Sequence, residues 1–232
     1  MTLVLTIRPE PGCSATVEAG LAAGLSIDGC PLFQIRPLAW EAPPAESIDG
    51  LLLGSANAVR HGGASLERYL GKPVYAVGSA TAAAAEAAGF TVAAIGRGVL
   101  QDLVDTIAPP LRLLRLTGAE HVPLAPPRGI EVIVRVGYES VPAPLPEALA
   151  ARLRDGALVL LHSAAAARHF ASECDRRGVP RAVLRLAALG PRIAAGAGEG
   201  WHEVRSAAEP SEAALLALAR EMCQEPGNGA AS

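Results

Sequence analysis

Short, unbroken apolar runs recur along this chain, and almost every one is followed by a small or polar turn and an alanine-rich stretch. The runs fall at 3–7, 50–53, 74–77, 91–94, 111–116, 131–136, 158–161, 186–189 and 202–205. Their length and lack of apolar/polar alternation suit strands buried on both faces. Helices are predicted over 14–24, 57–70, 79–88, 99–107, 145–153, 164–177, 193–197 and 211–223. Strands alternating with helices in this way give parallel sheets covered on both sides. The strongest single constraint is therefore the α/β class. A further run at 31–37 is strand-like, and the tail 224–232 is expected to be disordered.

Composition narrows the function classes. The chain has 232 residues, half of them apolar, which suffices for a sizeable core. No apolar run reaches the length of about 20 residues that a spanning helix needs. The N-terminal run is short and lacks a basic segment ahead of it, so it reads as a strand and not as a signal peptide. Net charge is −3, and the basic residues, 19 Arg and one Lys, are scattered. Neither a basic footprint nor a base-stacking platform is present, since aromatics are only 3% of the chain. Nucleic acid and membrane are thus not expected partners. Cys13, Cys30, Cys174 and Cys223 show no CxxC and no zinc-type spacing, so they read as reduced, mostly buried thiols. The 47 alanines and the arginine bias suit a bacterial chain.

Two proline-rich stretches, at 41–46 and 142–146, punctuate the pattern. They predict two small domains, the chain leaving the first early, building the second and returning. The predicted boundaries are 1–36 plus 141–232 for the first domain and 37–140 for the second. An internal repeat agrees with this. Leu51-Leu52-Leu53-Gly54-Ser55-Ala56-Asn57-Ala58 is similar to Val159-Leu160-Leu161-His162-Ser163-Ala164-Ala165-Ala166. Ala76-Val77-Gly78-Ser79-Ala80-Thr81 is similar to Ala188-Leu189-Gly190-Pro191-Arg192-Ile193. Each copy then reaches a glycine, an aromatic and a short strand, at Gly89-Phe90 and Gly200-Trp201.

The repeat places small polar residues where strands end and helices begin. Open parallel sheets bind ligands at that edge. Helix starts there offer unpaired N–H groups to carboxylate or phosphate. Ser55, Ser79, Thr81, Ser163 and the Gly190-Pro191 turn are the candidates, each of which also reads as an ordinary helix cap. Arg8 follows the first strand at the same edge, as a ligand group or as a solvated or salt-bridged arginine. Tyr138 follows the strand at 131–136, where the chain starts its return. It reads either as a packed hinge aromatic or as a phenol facing a cleft and able to act as general acid. His169 lies four residues before Glu173 on a predicted helix, an ordinary surface pair. Nucleotide-binding glycine motifs, a GxSxG elbow and HExxH are absent. His162 and Ser163 are neighbours on a strand and point to opposite faces, so they do not make a simple dyad.

Taken in order, Thr6-Ile7-Arg8-Pro9, Pro31-Leu32-Phe33-Gln34-Ile35, Gly50 to Val59, Ala76 to Thr81 with Gly89-Phe90, Tyr138, Leu161 to Phe170 and Ala188 to Ala194 resemble the uroporphyrinogen-III synthase family, over residues 3 to 223. The resemblance implies two similar flavodoxin-like α/β domains joined by a two-stranded crossover, with the site in a cleft between them. It implies cyclisation of hydroxymethylbilane, with loss of water and inversion of ring D through a spiro intermediate, by a cytoplasmic monomer using no cofactor or metal. It implies Tyr138 as the catalytic residue. The substrate-binding residues would be Arg8, Ser55, Ala56, Asn57, Gly78, Ser79, Thr81, Ser163, Ala164, Gly190 and Arg192. Ile193 stands where the family carries a threonine, and Ala164 where it carries a proline. A non-catalytic two-domain binding or sensory module of the same fold is the alternative.

Overall fold

The computed structural model describes residues 2–224, so the expected tail beyond Gln224 lies outside the described residues. The chain runs through β1 (Leu3–Thr6), α1 (Gly12–Ala22), β2 (Asp28–Gly29) and β3 (Phe33–Pro37). It continues with β4 (Gly50–Leu53), α2 (Ala56–His61), α3 (Ala64–Glu67), β5 (Pro73–Val77), α4 (Ser79–Ala87) and β6 (Thr91–Gly96). Next come α5 (Leu100–Asp105), β7 (Leu111–Gly118), β8 (Ile130–Pro142), α6 (Glu147–Leu153) and β9 (Ala157–Leu161). Last are α7 (Ala164–Arg177), β10 (Leu184–Ala188), α8 (Pro191–Gly196), β11 (Glu203–Ser206) and α9 (Glu212–Gln224). None of the helices is long and apolar enough to cross a membrane, among the described residues.

The chain divides into two compact units. One comprises residues 1–34 and 142–232, the other residues 35–141. The first unit holds a five-stranded sheet in the order β11-β10-β9-β1-β2, with parallel ladders. Its central strand β9 is buried at every position. Ala157, Val159 and Leu161 pack with α6 and α7 on one face, while Leu158 and Leu160 pack with α9 on the other. This is why β9 reads as an unbroken apolar run: both faces lie under helices.

The second unit holds a six-stranded sheet in the order β3-β8-β7-β4-β5-β6. The ladders of β4 with β5 and β7, of β5 with β6 and of β7 with β8 are parallel. Leu51 and Leu53 of β4 face Ala58, Leu66 and Ala85 on one side, and Leu52 faces Leu103 and Val104 on the other.

Three expectations change. The helix predicted over 57–70 is two short helices. Gly63 between them has φ +65°, a left-handed conformation that ends α2 and restarts the chain. The stretch 41–46 is not a free linker, because Trp40 stacks on Tyr69 and the Tyr69 hydroxyl donates to the Pro43 carbonyl at 2.7 Å. His169 and Glu173 are not a surface pair. The His169 ring bonds the Ala143 carbonyl at 2.8 Å and meets Phe33 edge-on.

Glu173 is buried instead, and accepts from the Leu145 amide at 2.6 Å and from Arg176 at 2.5 and 2.7 Å. The Arg176 hydrogen bonds hold its carboxyl down to about 2, against burial. A carboxyl depressed on folding contributes stability that is present above its unfolded value, near 4.5, and lost as pH falls toward 2. Glu173→Gln should therefore cost about 2 kcal/mol at pH 7. The gap between variant and wild type should narrow as denaturation is followed from pH 4.5 to pH 2. A gap that stays constant over that window contradicts the assignment.

Candidate active site

In the second unit, a cavity of about 530 Å³ opens at the carboxyl ends of β4 and β7. Gly54 and Ser55 supply one wall, Leu100 and Gln101 at the start of α5 another, and the chain from Arg115 to Leu124 a third. Tyr138 and Ser140 of β8 complete it. Ser55 caps α2, its hydroxyl accepting from the Asn57 amide at 3.2 Å. Gln101 pins the 119–125 segment over the cavity. Its side-chain oxygen accepts from the Ala125 amide and its nitrogen donates to the Ala125 carbonyl, both at 2.9 Å. That segment was not among the predicted site residues.

Tyr138 does not follow its strand, as the sequence suggested; it lies inside β8. The strand outruns the predicted end because its ladder with β7 continues to Gly118. Near that end Thr117 pairs with Val136, and Gly118 pairs with Tyr138. Gly137 is thus an extra residue in β8, a bulge that reverses which face the following side chains take. Before the bulge, Val132 packs on the α5 face and Ile133 on the α2/α4 face. Strict alternation would put Tyr138 with Val132, but Tyr138 packs with the Ile133 set. Two glycines permit this. A Cβ on Gly137 would meet Leu116 at 2.7 Å, and one on Gly118 would meet the Tyr138 ring at 2.8 Å. His61 lies alongside, ring centres 6.2 Å apart, and burial lowers its pKa, favouring the neutral imidazole. The Tyr138 hydroxyl has no hydrogen-bond partner among the described residues.

The other candidates of this unit sit elsewhere on the same sheet edge. Ala56 is buried and Asn57 half-buried in the first turn of α2. Gly78 (φ +80°) and Ser79 are exposed at the start of α4, and Thr81 is buried one turn in. None of these five lines the cavity around Tyr138.

In the first unit, Arg8 is engaged internally. Its Nη1 donates to Glu212 at 3.1 Å, and the Thr16 hydroxyl donates to the same carboxylate at 2.6 Å. His162 reaches Glu212 as well, Nε2 to Oε2 at 3.2 Å. These bonds, that of His162 first, hold the Glu212 carboxyl down to about 2. Glu212 is therefore the hub joining the ends of β1 and β9 to the start of α9, a role with no local sequence signature. Ser163 caps α7 by accepting from the Ala166 amide at 3.1 Å, and Ala164 packs under α8 near Gly196. Gly190 precedes α8 with Pro191 in its first turn, Arg192 is exposed, and Ile193 packs on the core. All four cysteines are free thiols, Cys13 and Cys174 buried and the other two half-buried. No cluster of three or more metal-ligating side chains occurs among the described residues.

A family model described as uroporphyrinogen-III synthase HemD matches residues 14–217. Among solved structures, the chain is similar to the uroporphyrinogen-III synthetase of Helicobacter pylori, with TM-score 0.67 and 17% identity, over 96% of this chain and 100% of that one. It also matches a mutant uroporphyrinogen III synthase of Thermus thermophilus, with TM-score 0.49 and 17% identity over the same shares. No curated protein matches it.

Proposed function

The chain belongs to the uroporphyrinogen-III synthase family, and from that premise we propose that it cyclises hydroxymethylbilane to uroporphyrinogen III, with loss of water and inversion of ring D. The family match carries this reading, and the cavity at Tyr138 suits it. Hydroxymethylbilane closes without help to the uninverted type I isomer. The protein's task is to hold the bilane so that ring D reacts through its substituted carbon, which is chiefly proximity and orientation.

Tyr138 is the proposed general acid. Its phenol, without a hydrogen-bond partner among the described residues, gives a proton to the departing hydroxyl, which leaves as water. The cationic methylene left behind is attacked by the substituted carbon of ring D, giving the spiro intermediate. Reopening and reclosure invert the ring, and the proton lost on rearomatisation returns to the phenolate.

The proposed holding groups are N–H groups and short polar side chains at helix starts, which take carboxylates without a basic patch. In the second unit these are Ser55, Ala56 and Asn57 at α2, and Gly78, Ser79 and Thr81 at α4. Gly78 favours that use, since its positive φ frees the backbone and a Cβ there would meet nothing. In the first unit they are Ser163 and Ala164 at α7, Gly190 and Arg192 at α8, and Arg8, whose charge is shared with Glu212. The strand order of the first unit, β2-β1-β9-β10-β11, favours a flavodoxin-like description of it. The family reading favours a cytoplasmic monomer, and the alanine and arginine bias of the composition favours a bacterial source. Product analysis tests the function: oxidised macrocycle from hydroxymethylbilane should be type III with the protein present and type I without it. Type I in both contradicts the reading.

A further inference from the structure

Arg115 sits in β7, one strand position from the core residues Leu114 and Leu116, and is only 5% exposed. Arg115 also lines the cavity that Tyr138 lines. Nη1 donates to the Val122 carbonyl at 2.8 Å, while Nε is fully enclosed with no partner. No carboxylate pairs with it among the described residues. The contrast is on the same strand: exposed Arg112 pairs with Glu131 at 2.8 Å. Glu120, the acidic residue in the cavity wall, is exposed and makes no ion pair with Arg115.

A buried cation without a counter-ion is costly, and native chains retain one where a ligand supplies the missing charge. Arginine stays protonated in such a site and meets a carboxylate with two parallel N–H bonds. Burial lowers the Arg115 pKa from its usual value, the expected sign for a charge awaiting a partner. The bond to Val122 uses one N–H group, so fixing the 119–124 segment does not account for the rest.

We propose that Arg115 is a substrate-binding residue that pairs with one carboxylate of a polycarboxylate tetrapyrrole in the Tyr138 cavity. The choice of ligand rests on the synthase reading above. The arginine was hidden from sequence reasoning because Arg112 and Arg115 both look like the solvent-facing residues of a strand. It gives the second unit a charged anchor alongside its uncharged helix starts.

The test uses the full chain with Arg115→Met and Arg115→Lys. Each is assayed for KM and kcat in type III formation, and for the Kd of uroporphyrin III by quenching of protein fluorescence. Arg115→Met should raise KM and Kd about 10- to 100-fold, with kcat within about threefold. Arg115→Lys, which keeps the charge but not the fork, should lose about three- to tenfold. A purely structural role would lower the melting temperature and leave Kd and KM unchanged, which overturns the assignment. If Arg115→Met does not melt cooperatively, Arg115→Lys decides, and wild-type Kd and KM in it overturn the proposal. Wild-type protein that does not bind uroporphyrin III overturns it too. Failure of the synthase reading looks different: wild type then makes no type III isomer, and Arg115 is judged on porphyrin binding alone.

Discussion

Replacing Tyr138 with phenylalanine is expected to lower kcat for type III formation by about 100-fold or more, the usual weight of a positioned general acid. The ring packs on the α2/α4 face of the sheet, and phenylalanine keeps that contact. The hydroxyl bonds nothing among the described residues, so its removal orphans no partner there. Melting temperature and KM should therefore stay near wild type. The split matters, because a packing role would move stability and a binding role would move KM. Full activity of Tyr138→Phe at both saturating and subsaturating hydroxymethylbilane would refute the chemical role.

Gly118→Ala should also lower kcat, by a smaller factor, without touching the tyrosine. The added methyl would lie 2.8 Å from Cε2 and 3.2 Å from Cζ of the Tyr138 ring, so the ring must swing away. Overpacking at a strand end costs about 1–3 kcal/mol, and much of it is relieved by that swing. Stability should fall modestly while kcat falls by about tenfold or more. The double variant Gly118→Ala, Tyr138→Phe should be little worse than Tyr138→Phe alone, since both changes act through one hydroxyl. Wild-type kcat in Gly118→Ala, or fully multiplicative losses in the double variant, would contradict this geometry.

The parts of the fold that were legible are those that local chemistry decides. β9 declares itself because both its faces are covered and every residue is apolar. Ser55 and Ser163 mark helix starts because each accepts from an amide of the first turn. What was not legible depends on contacts distant in sequence. β2 is two residues long and exists because Asp28 and Gly29 lie against Leu5 and Thr6, with no apolar run of its own. The break at Gly62-Gly63 was visible in principle, but the helical pattern on either side outweighed it. Tyr138 was singled out as a candidate, and it lies inside β8 where the end of a strand was expected. The apolar run stops at 136, whereas β8 continues to Pro142 through the bulge at Gly137, which lies against Leu116 across the ladder. Glu212 is another such case, since its partners Arg8, Thr16 and His162 come from three distant segments.

The same division separates the candidate site into its two halves. Helix starts can be guessed from strand-turn-helix grammar, and several candidates were reached that way. The cavity itself is made by the 119–124 segment folding back under Gln101, and its charge is carried by a strand arginine. Neither has a motif.

The most direct measurement is isomer analysis at substoichiometric protein. Hydroxymethylbilane is mixed with a series of protein concentrations well below its own, and the oxidised products are separated into types I and III. The type III fraction should rise with protein and approach completion through many turnovers per chain. Type I at every protein concentration, or type III capped at one equivalent per chain, would contradict a synthase.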